Sequence, residues 1–285
     1  VLANRLTEDP NVTVCVLEAG PPDRNPWIHI PAGFSKTLAD PGVTWQFKTE
    51  PSPNVNGRSV VIPVGRTVGG SSSINAMCYI RGVPADYDDW AAQGAHGWAW
   101  DDVLPWFRSS EGNTRGADAL HGDDGPLTVS DLRYVNPVSR MFIEAAQQAG
   151  LPANDDFNGP HQQGAGLYQV TQRDGARCSA ATAYLDRETR TRPNLTIQTG
   201  AVASRVTFED GRATGVVYST ARGAFHQPAT REVLLCGGAD IDPALYGETE
   251  VHPDVYDVDA LQDEADLSLA DYCFAHGVPT LAVCR

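Results

Sequence analysis

The apolar positions at the start of the chain change from helical spacing to that of a strand. Leu2 and Leu6 in VLANRLT lie on one helical face, which predicts the end of a helix over residues 1–7. The following run, NVTVCVLEAG, is short and rich in β-branched residues, and it predicts a strand that ends near Glu18 and Gly20. A helix that leads into such a strand is half of a βαβ unit.

Further along, the pattern predicts one long helix and a group of strands. PVSRMFIEAAQQAG (137–150) is amphipathic and finishes at Gly150, a residue suited to a helix C-cap. Residues 194–219 read as strand, strand, a turn at Asp210-Gly211, and strand. REVLLC (231–236) predicts another buried strand. Residues 86–111 predict a helical surface with buried aromatic anchors, carried by four tryptophans: Trp90, Trp98, Trp100 and Trp106.

Two stretches carry candidate binding chemistry. In dinucleotide-binding folds, the acid that ends the second strand accepts hydrogen bonds from ribose hydroxyls, and Glu18 is placed for that role. Gly69 and Gly70, followed by three serines, form a backbone that can approach a ligand closely. The same stretch supplies N–H and hydroxyl donors suited to a pyrophosphate. A Ser/Gly linker is disfavoured because apolar segments flank the stretch on both sides.

Composition and charge restrict the classes of partner. The chain has 285 residues, of which 41% are hydrophobic, and no apolar run approaches the length of a membrane helix. The net charge of -15 argues against nucleic acid, which requires a basic surface. The charge is uneven, because residues 237–285 hold eleven acids and one base. This break indicates a domain boundary near residue 237, although a solvated acidic helix face would explain it equally well.

The six cysteines have no paired spacing, so the sequence predicts neither a metal site nor a disulfide framework. Cys15 and Cys236 fall within apolar strands, where thiols are usually inert. We therefore expect a reducing, cytoplasmic setting.

Residues 1–236 resemble the glucose–methanol–choline (GMC) family of FAD-dependent oxidoreductases, close to its choline- and alcohol-dehydrogenase-like members. The resemblance is carried by VLANRLTEDPNVTVCVLEAG, GRTVGGSSSINAMCYIRG, HGDDGPLTVSDLR, NDDFNGPHQQGAGLYQVTQRDGARCSAATAYL and RPNLTIQTGAVASRVTFEDGRATGVVY, in this order. It implies an α/β fold with a Rossmann-like FAD-binding domain, interleaved with an α+β substrate-binding part. Oxidation of an alcohol such as choline is the implied activity, by hydride transfer to flavin N5.

The resemblance also implies roles for individual residues. Glu18 corresponds to the ribose-binding acid, and Val202 to the residue whose backbone meets the adenine. Ile74 stands where some members carry a His bonded covalently to the flavin, so we expect FAD to be non-covalent. The other implied cofactor residues belong to the loop beside the flavin and its pyrophosphate or run along the flavin ring: Val68, Gly69, Gly70, Ser71, Asn75, Ala76, Met77 and Cys78.

No catalytic histidine is assigned. The family's base is a His in a C-terminal region that has no counterpart here, and the seven histidines of this chain match none of its motifs. The glycine fingerprint that would precede residue 1 also has no counterpart. We therefore expect weak or no catalysis, and reduced FAD affinity, from the chain as written.

The final residues depart from this pattern. After REVLLCGGA, the segment DIDPALYGETE through GVPTLAVCR resembles class I glutamine amidotransferase-like gamma-glutamyl hydrolases, and predicts a short α/β tail over 237–285. Cys284 corresponds to the nucleophile of that family, but no base accompanies it, and an unreactive terminal Cys is the alternative. A gamma-glutamyl hydrolase fragment and a non-catalytic fusion remnant therefore remain alternative functions. The sequence is silent on oligomeric state.

Overall fold

A computed structural model describes residues 1–235 of the chain. Its helices are short, apart from three that carry two or more turns. Their bounds are α1 (Leu2–Leu6), α2 (Pro26–His29), α3 (Phe34–Leu38), α4 (Pro84–Ala92), α5 (Trp100–Ser110), α6 (Pro137–Gln148), α7 (Ala180–Tyr184) and α8 (Arg187–Arg190).

The strands of the same residues form small sheets. Their bounds are β1 (Val14–Glu18), β2 (Thr44–Lys48), β3 (Val61–Gly65), β4 (Glu111–Asn113), β5 (Leu127–Val129), β6 (Gln172–Arg173), β7 (Ala176–Arg177), β8 (Leu195–Thr199), β9 (Val202–Glu209), β10 (Arg212–Thr220) and β11 (Gly223–Pro228). The paired strands are β1 with β8, β2 with β3, β4 with β5 and β6 with β7, and β9 to β11 form one sheet.

The chain divides into two compact units. Unit 1 consists of Val1–Val14, Asp23–Leu38 and Gly69–Thr196, and it contains all eight of the helices described above. The described part of unit 2 consists of Cys15–Pro22, Ala39–Val68 and residues 197–235. The boundary predicted at 236/237 falls where the described residues end, so it stays a prediction.

Unit 2 is built mainly from antiparallel strands. β10 lies between β9 and β11 and pairs antiparallel with both. The turn from β9 to β10 uses Asp210 (φ 49°) and Gly211 (φ 74°), both in the left-handed region that a type I′ hairpin turn requires. This confirms the turn predicted from Asp210-Gly211. Strand β1 is confirmed as well, and burial raises the pKa of the Cys15 thiol within it, which suits an inert core cysteine.

The long helix of unit 1 has local signals at both ends. The Asn136 side chain caps α6 by accepting a hydrogen bond from the Val138 N–H at 2.9 Å. At the other end, Gly150 (φ 99°) donates to the Gln147 carbonyl and Leu151 to the Ala146 carbonyl. This is a Schellman motif, in which the helix ends at Gln148, Ala149 is its C-cap, and Gly150 follows the C-cap, which the sequence predicts at the glycine itself.

Two expectations from the sequence are wrong. Residues 231–235 of REVLLC belong to no strand, and Leu234 is 46% exposed. An apolar run becomes a strand only when another strand accepts its backbone hydrogen bonds, and within the described chain none does so here. Cys236 lies outside the described residues.

The second wrong expectation concerns the tryptophans. Trp90, Trp98 and Trp106 are exposed, and the buried centre of this aromatic cluster is Tyr87 instead. The Tyr87 ring centroid lies 5.5 Å from those of Trp90 and Trp100. Tyr87 lies where α4 and α5 face each other, since its ring contacts those of Trp100 and Phe107 in α5. Its hydroxyl accepts the Gly82 N–H at 3.2 Å, so its polar end is also satisfied.

The interior of unit 1 holds a charged network. Glu111 is fully buried, and its carboxylate forms an ion pair with Arg81, whose side chain is 2% exposed. His121 Nδ1 lies 2.9 Å from Glu111 Oε1, and its Nε2 lies 3.0 Å from Asp156 Oδ2. Asn113 donates a further hydrogen bond of 2.9 Å to Glu111. The hydrogen bond to Glu111 is the main cause that raises the pKa of His121, and Asp156 adds to it.

Candidate functional site

In unit 2, the turn that follows β1 gathers three of the predicted cofactor residues. The Glu18 carbonyl accepts the Ala201 N–H at 2.9 Å, which places Val202 next to the end of β1. The Gly20 carbonyl accepts the Gly200 N–H at 2.9 Å. The Pro21 carbonyl accepts the N–H of Val68 at 3.3 Å. Glu18, Val202 and Val68, which are far apart in sequence, therefore border one backbone turn.

The Glu18 carboxylate is held by its own turn. Its Oε1 accepts the Gly20 N–H at 2.7 Å. Burial is the largest influence on this group and raises its pKa, while the Gly20 hydrogen bond and the positive charge of Arg66 lower it. Gly20 must be glycine, because a Cβ there would overlap the Arg66 carbonyl oxygen. The carboxylate thus keeps one oxygen tied to the backbone and a second oxygen for a hydroxyl donor.

In unit 1, the Gly69–Cys78 segment begins with two residues in left-handed conformation. Gly69 has φ 94° and Gly70 has φ 54°, and a 3₁₀ turn from Gly70 to Ser73 follows. A Cβ at Gly69 would crowd the Ser73 hydroxyl and lie 3.0 Å from the Cβ of Ala181. Nothing lies within 4 Å of a Cβ position at Gly70, so the surface beside this glycine is open to a close approach.

The remainder of the segment alternates between core and surface. Ile74 and Met77 are buried at 1% and 4% exposure. Of the predicted cofactor residues in this part of the segment, Ser71, Asn75, Ala76 and Cys78 are exposed, whereas Met77 is buried. Met77 has φ 64°, unusual for a non-glycine residue, and its N–H donates to Asn75 Oδ1 at 3.0 Å. The Met77 carbonyl accepts the Thr171 N–H at 2.9 Å, which ties the segment to the core of unit 1.

Sequence reasoning missed one residue of this region, Arg177. It is 1% exposed and donates from Nη1 to the Ser72 carbonyl at 3.1 Å and to Asn75 Oδ1 at 2.9 Å. Its Nε donates to the Ile28 carbonyl at 2.7 Å, and its Nη2 has no hydrogen-bond partner within residues 1–235. The sequence feature that could have indicated Arg177 is its charge, because the other residues of the run ARCSAA are small and uncharged.

Each unit, taken by itself, carries a feature that suits one part of a nucleotide. Unit 1 offers a glycine backbone open on one side, and a buried cation with an unsatisfied N–H. Unit 2 offers a carboxylate that is fixed at a strand end.

Within residues 1–235, no group of three His, Cys, Asp or Glu side chains is arranged to hold a metal ion. No helix in the described part of the chain is long and apolar enough to cross a membrane.

Three histidines of the described residues make hydrogen-bonding contacts with neighbouring parts of the fold. His121 belongs to the buried network, His29 Nε2 lies 2.7 Å from the Asp23 carbonyl, and His226 Nε2 lies 3.0 Å from the Thr207 hydroxyl. None of these gives a reason to assign a catalytic base. Cys284 lies outside the described residues.

Comparison with known proteins gives two family matches. The sequence profile of the family described as GMC oxidoreductase matches residues 6–248, and that of Peptidase C26 matches residues 228–285. The two matches overlap at residues 228–248, around GGADIDPALYG. These matches confirm both resemblances that the sequence indicated.

Individual relatives agree with the first match. The chain is 46% identical to an alcohol dehydrogenase [acceptor] of Pseudomonas putida over 250 residues. The aligned region covers 86% of this chain and 45% of that protein. It is also 46% identical over 250 residues to the oxygen-dependent choline dehydrogenase of Paraburkholderia phytofirmans, covering 86% of this chain and 44% of that protein. The chain thus spans less than half the length of these relatives.

A solved structure extends the comparison to the fold. Pyridoxine 4-oxidase of Mesorbium loti superposes with a TM-score of 0.79 at 35% identity, over 84% of this chain and 47% of that one. This likeness confirms the predicted α/β, FAD-binding Rossmann-like fold class.

Proposed function

Because this chain belongs to the GMC oxidoreductase family, whose members are flavoproteins with FAD, we propose that residues 1–236 form the FAD-binding part of an oxidoreductase. The proposed reaction is oxidation of the CH–OH group of a small alcohol such as choline. The observation that carries the proposal is the Gly69–Cys78 segment, with its paired left-handed glycines and its exposed Ser71, Asn75, Ala76 and Cys78.

The proposed roles are those that the family resemblance implies, and the geometry of each segment supports them. Glu18 accepts hydrogen bonds from ribose hydroxyls, since one of its oxygens is already fixed by Gly20. Gly69, Gly70 and Ser71 admit the phosphate-bearing part of the cofactor, because nothing lies within 4 Å of a Cβ position at Gly70 and the backbone there is open to a close approach. Val68 and Val202 contribute the backbone and apolar border of the Glu18 turn. FAD, when bound, supplies the hydride acceptor.

We propose that the chain binds FAD non-covalently. Ile74 occupies the position expected for a covalent His, and its apolar side chain is 1% exposed, so it offers no nucleophile. Denaturation in acid followed by filtration should release all flavin into the filtrate. Flavin that stays with the protein would contradict this part of the proposal. The cytoplasmic location inferred from the cysteines stays a prediction.

FAD binding by the purified chain tests the proposal directly. The apo-chain is titrated with FAD, with isothermal calorimetry and flavin fluorescence as readouts. Glu18→Gln keeps an acceptor for the Gly20 N–H but removes the charge. A charge-assisted hydrogen bond is worth about 1.5–3 kcal/mol, so this change should weaken FAD about ten- to a hundredfold.

Glu209→Gln is the matched control, because Glu209 is an exposed strand-end glutamate of the same unit. It should leave FAD affinity unchanged. A folded chain that does not bind FAD, or a Glu18→Gln variant that binds as tightly as the parent, would overturn the assignment.

The Peptidase C26 match favours one second candidate function, gamma-glutamyl hydrolysis by the tail segment. Its predicted nucleophile is Cys284. Hydrolysis of a gamma-glutamyl amide that is lost in Cys284→Ala but kept in Cys78→Ala would support it. A chain that neither binds FAD nor cleaves gamma-glutamyl amides would instead be a non-catalytic fusion remnant.

A further inference from the structure

Arg177 is a cation in the interior of unit 1 without an anionic partner in the described chain. The guanidinium is surrounded by neutral acceptors, namely the carbonyl oxygens of Ile28 and Ser72 and the side-chain oxygen of Asn75. No carboxylate within residues 1–235 lies within ion-pair distance of it. Among the described residues, its Nη2 has no hydrogen-bond partner.

Such an arrangement is costly for the protein alone. Removing a cation from water costs several kcal/mol, and neutral acceptors offset only part of this cost. Burial lowers the pKa of Arg177 to about 10, yet this still leaves the group charged at neutral pH. The position therefore keeps a positive charge in a medium where its field is weakly screened. An anionic ligand nearby would offset the cost.

The contacts of Arg177 all fall on the segment that is proposed to meet the flavin. Asn75 Oδ1 receives both the Arg177 guanidinium at 2.9 Å and the Met77 N–H at 3.0 Å. This shared acceptor holds Met77 in its left-handed conformation and so fixes the exposed residues Ala76 and Cys78 on either side of it. Ala180, three residues after Arg177, binds the same segment, because its N–H donates to the Ser72 hydroxyl at 2.9 Å.

We propose that Arg177 is the positioning residue of the flavin-binding segment: it fixes the backbone at Ser72 and the side chain of Asn75, and its positive charge is matched by the negative charge of bound FAD. This inference rests on the proposed function. Arg177 acts through Ser72 and Asn75 and through its field, since the buried guanidinium is covered by these residues. A lysine could not reproduce it, because three hydrogen bonds from one planar fork require the guanidinium.

The test compares the FAD dissociation constants of four single variants and one double variant, Arg177→Met with Asn75→Ala, with that of the parent. Arg177→Met removes the charge and the fork, and Arg177→Lys removes the fork alone. Arg173→Met is the matched control, because Arg173 is exposed and also donates only to neutral acceptors, the Thr128 hydroxyl and the Pro126 carbonyl. Asn75→Ala removes the shared acceptor from an exposed position, and it keeps the test usable if Arg177→Met does not fold.

We expect FAD to bind at least about tenfold more weakly in Arg177→Met and in Asn75→Ala, with Arg177→Lys between Arg177→Met and the parent. Arg173→Met should bind like the parent. If Arg177 acts through Asn75, Arg177→Met should weaken binding less in the Asn75→Ala background than it does alone. Visible circular dichroism of bound flavin should change in the Arg177 and Asn75 variants, which a loss of global stability alone would not cause.

The outcomes separate this inference from the proposed function. If the parent chain is folded and binds no FAD, the proposed function fails, whatever Arg177 does. If the parent binds FAD and both Arg177→Met and Asn75→Ala bind it equally well with an unchanged flavin spectrum, the role of Arg177 is refuted and the proposed function stands. Strictly additive losses in the double variant would refute the route through Asn75.

Discussion

The buried network around Glu111 offers a quantitative prediction for unit 1. Glu111→Gln keeps the shape of the side chain but removes its charge. The new amide would place N–H donors against Arg81 and His121, which are themselves donors and which are 2% and 5% exposed at their side chains. Two cations then lie buried without their shared carboxylate. The perturbation therefore isolates the electrostatic part of this core.

The expected loss can be estimated from this burial. Removing one partner of a buried ion pair costs about 3–5 kcal/mol, because the remaining charge stays desolvated. For a urea dependence of about 3 kcal/mol per M, the unfolding midpoint should fall by about 1–1.7 M. Tryptophan fluorescence reports mainly on the unfolding of unit 1, which contains the network, since five of the six tryptophans belong to unit 1 and Trp45 belongs to unit 2.

The matched control is Asp131→Asn. Asp131 pairs with Arg115 at 2.8 Å in the same unit, but their side chains are 60% and 41% exposed. Solvent screens this pair, so its loss should cost less than about 1 kcal/mol. A Glu111→Gln variant that loses no more stability than Asp131→Asn would refute the reasoning, because burial would then make no difference to the value of the pair.

Two further predictions use the same unfolding assay. The hydrogen bond to Glu111, together with Asp156, raises the pKa of His121 in the folded protein. Protonated His121 therefore stabilises the fold fully below its ordinary pKa of 6.5, and this stabilisation is lost as the pH rises through the pKa of the folded state. The stability difference between the parent and His121→Gln should therefore shrink as the pH rises above 6.5, and a difference that grows with pH would contradict the assignment. Asn136→Ala removes the 2.9 Å cap on the Val138 N–H of α6 and should cost about 1 kcal/mol, whereas Asn136→Asp, which keeps an acceptor, should restore most of it. Equal losses in both Asn136 variants would show that the cap is not what matters at this position.

The local features of the fold were predictable from sequence because their causes lie within a few residues. Helix α1, strand β1, the Asp210-Gly211 turn and the end of α6 just before Gly150 each depend on the spacing of apolar residues or on the conformational freedom of glycine. The family resemblance was predictable for a similar reason. Segments such as GRTVGGSSSINAMCYIRG carry their signature in consecutive residues, and the comparisons confirm it.

The tertiary structure decided what pairs and what is buried. REVLLC has the composition of a strand, but an apolar run forms a strand only where a neighbouring chain takes its hydrogen bonds. The acid–base network joins Arg81, Glu111, His121 and Asp156, which are up to 75 residues apart, so no local pattern reveals that they share one interior.

Arg177 shows the difference most clearly. The sequence alone offers an arginine in a short apolar run, and most arginines are exposed. Only the fold brings it to Ser72 and Asn75, about a hundred residues earlier, and excludes water from it. Sequence fixes the chemistry a residue carries and its local backbone preference. Which charges lose their water, and beside which partners, is determined by contacts between segments distant in the chain, since desolvation depends on everything packed around a group.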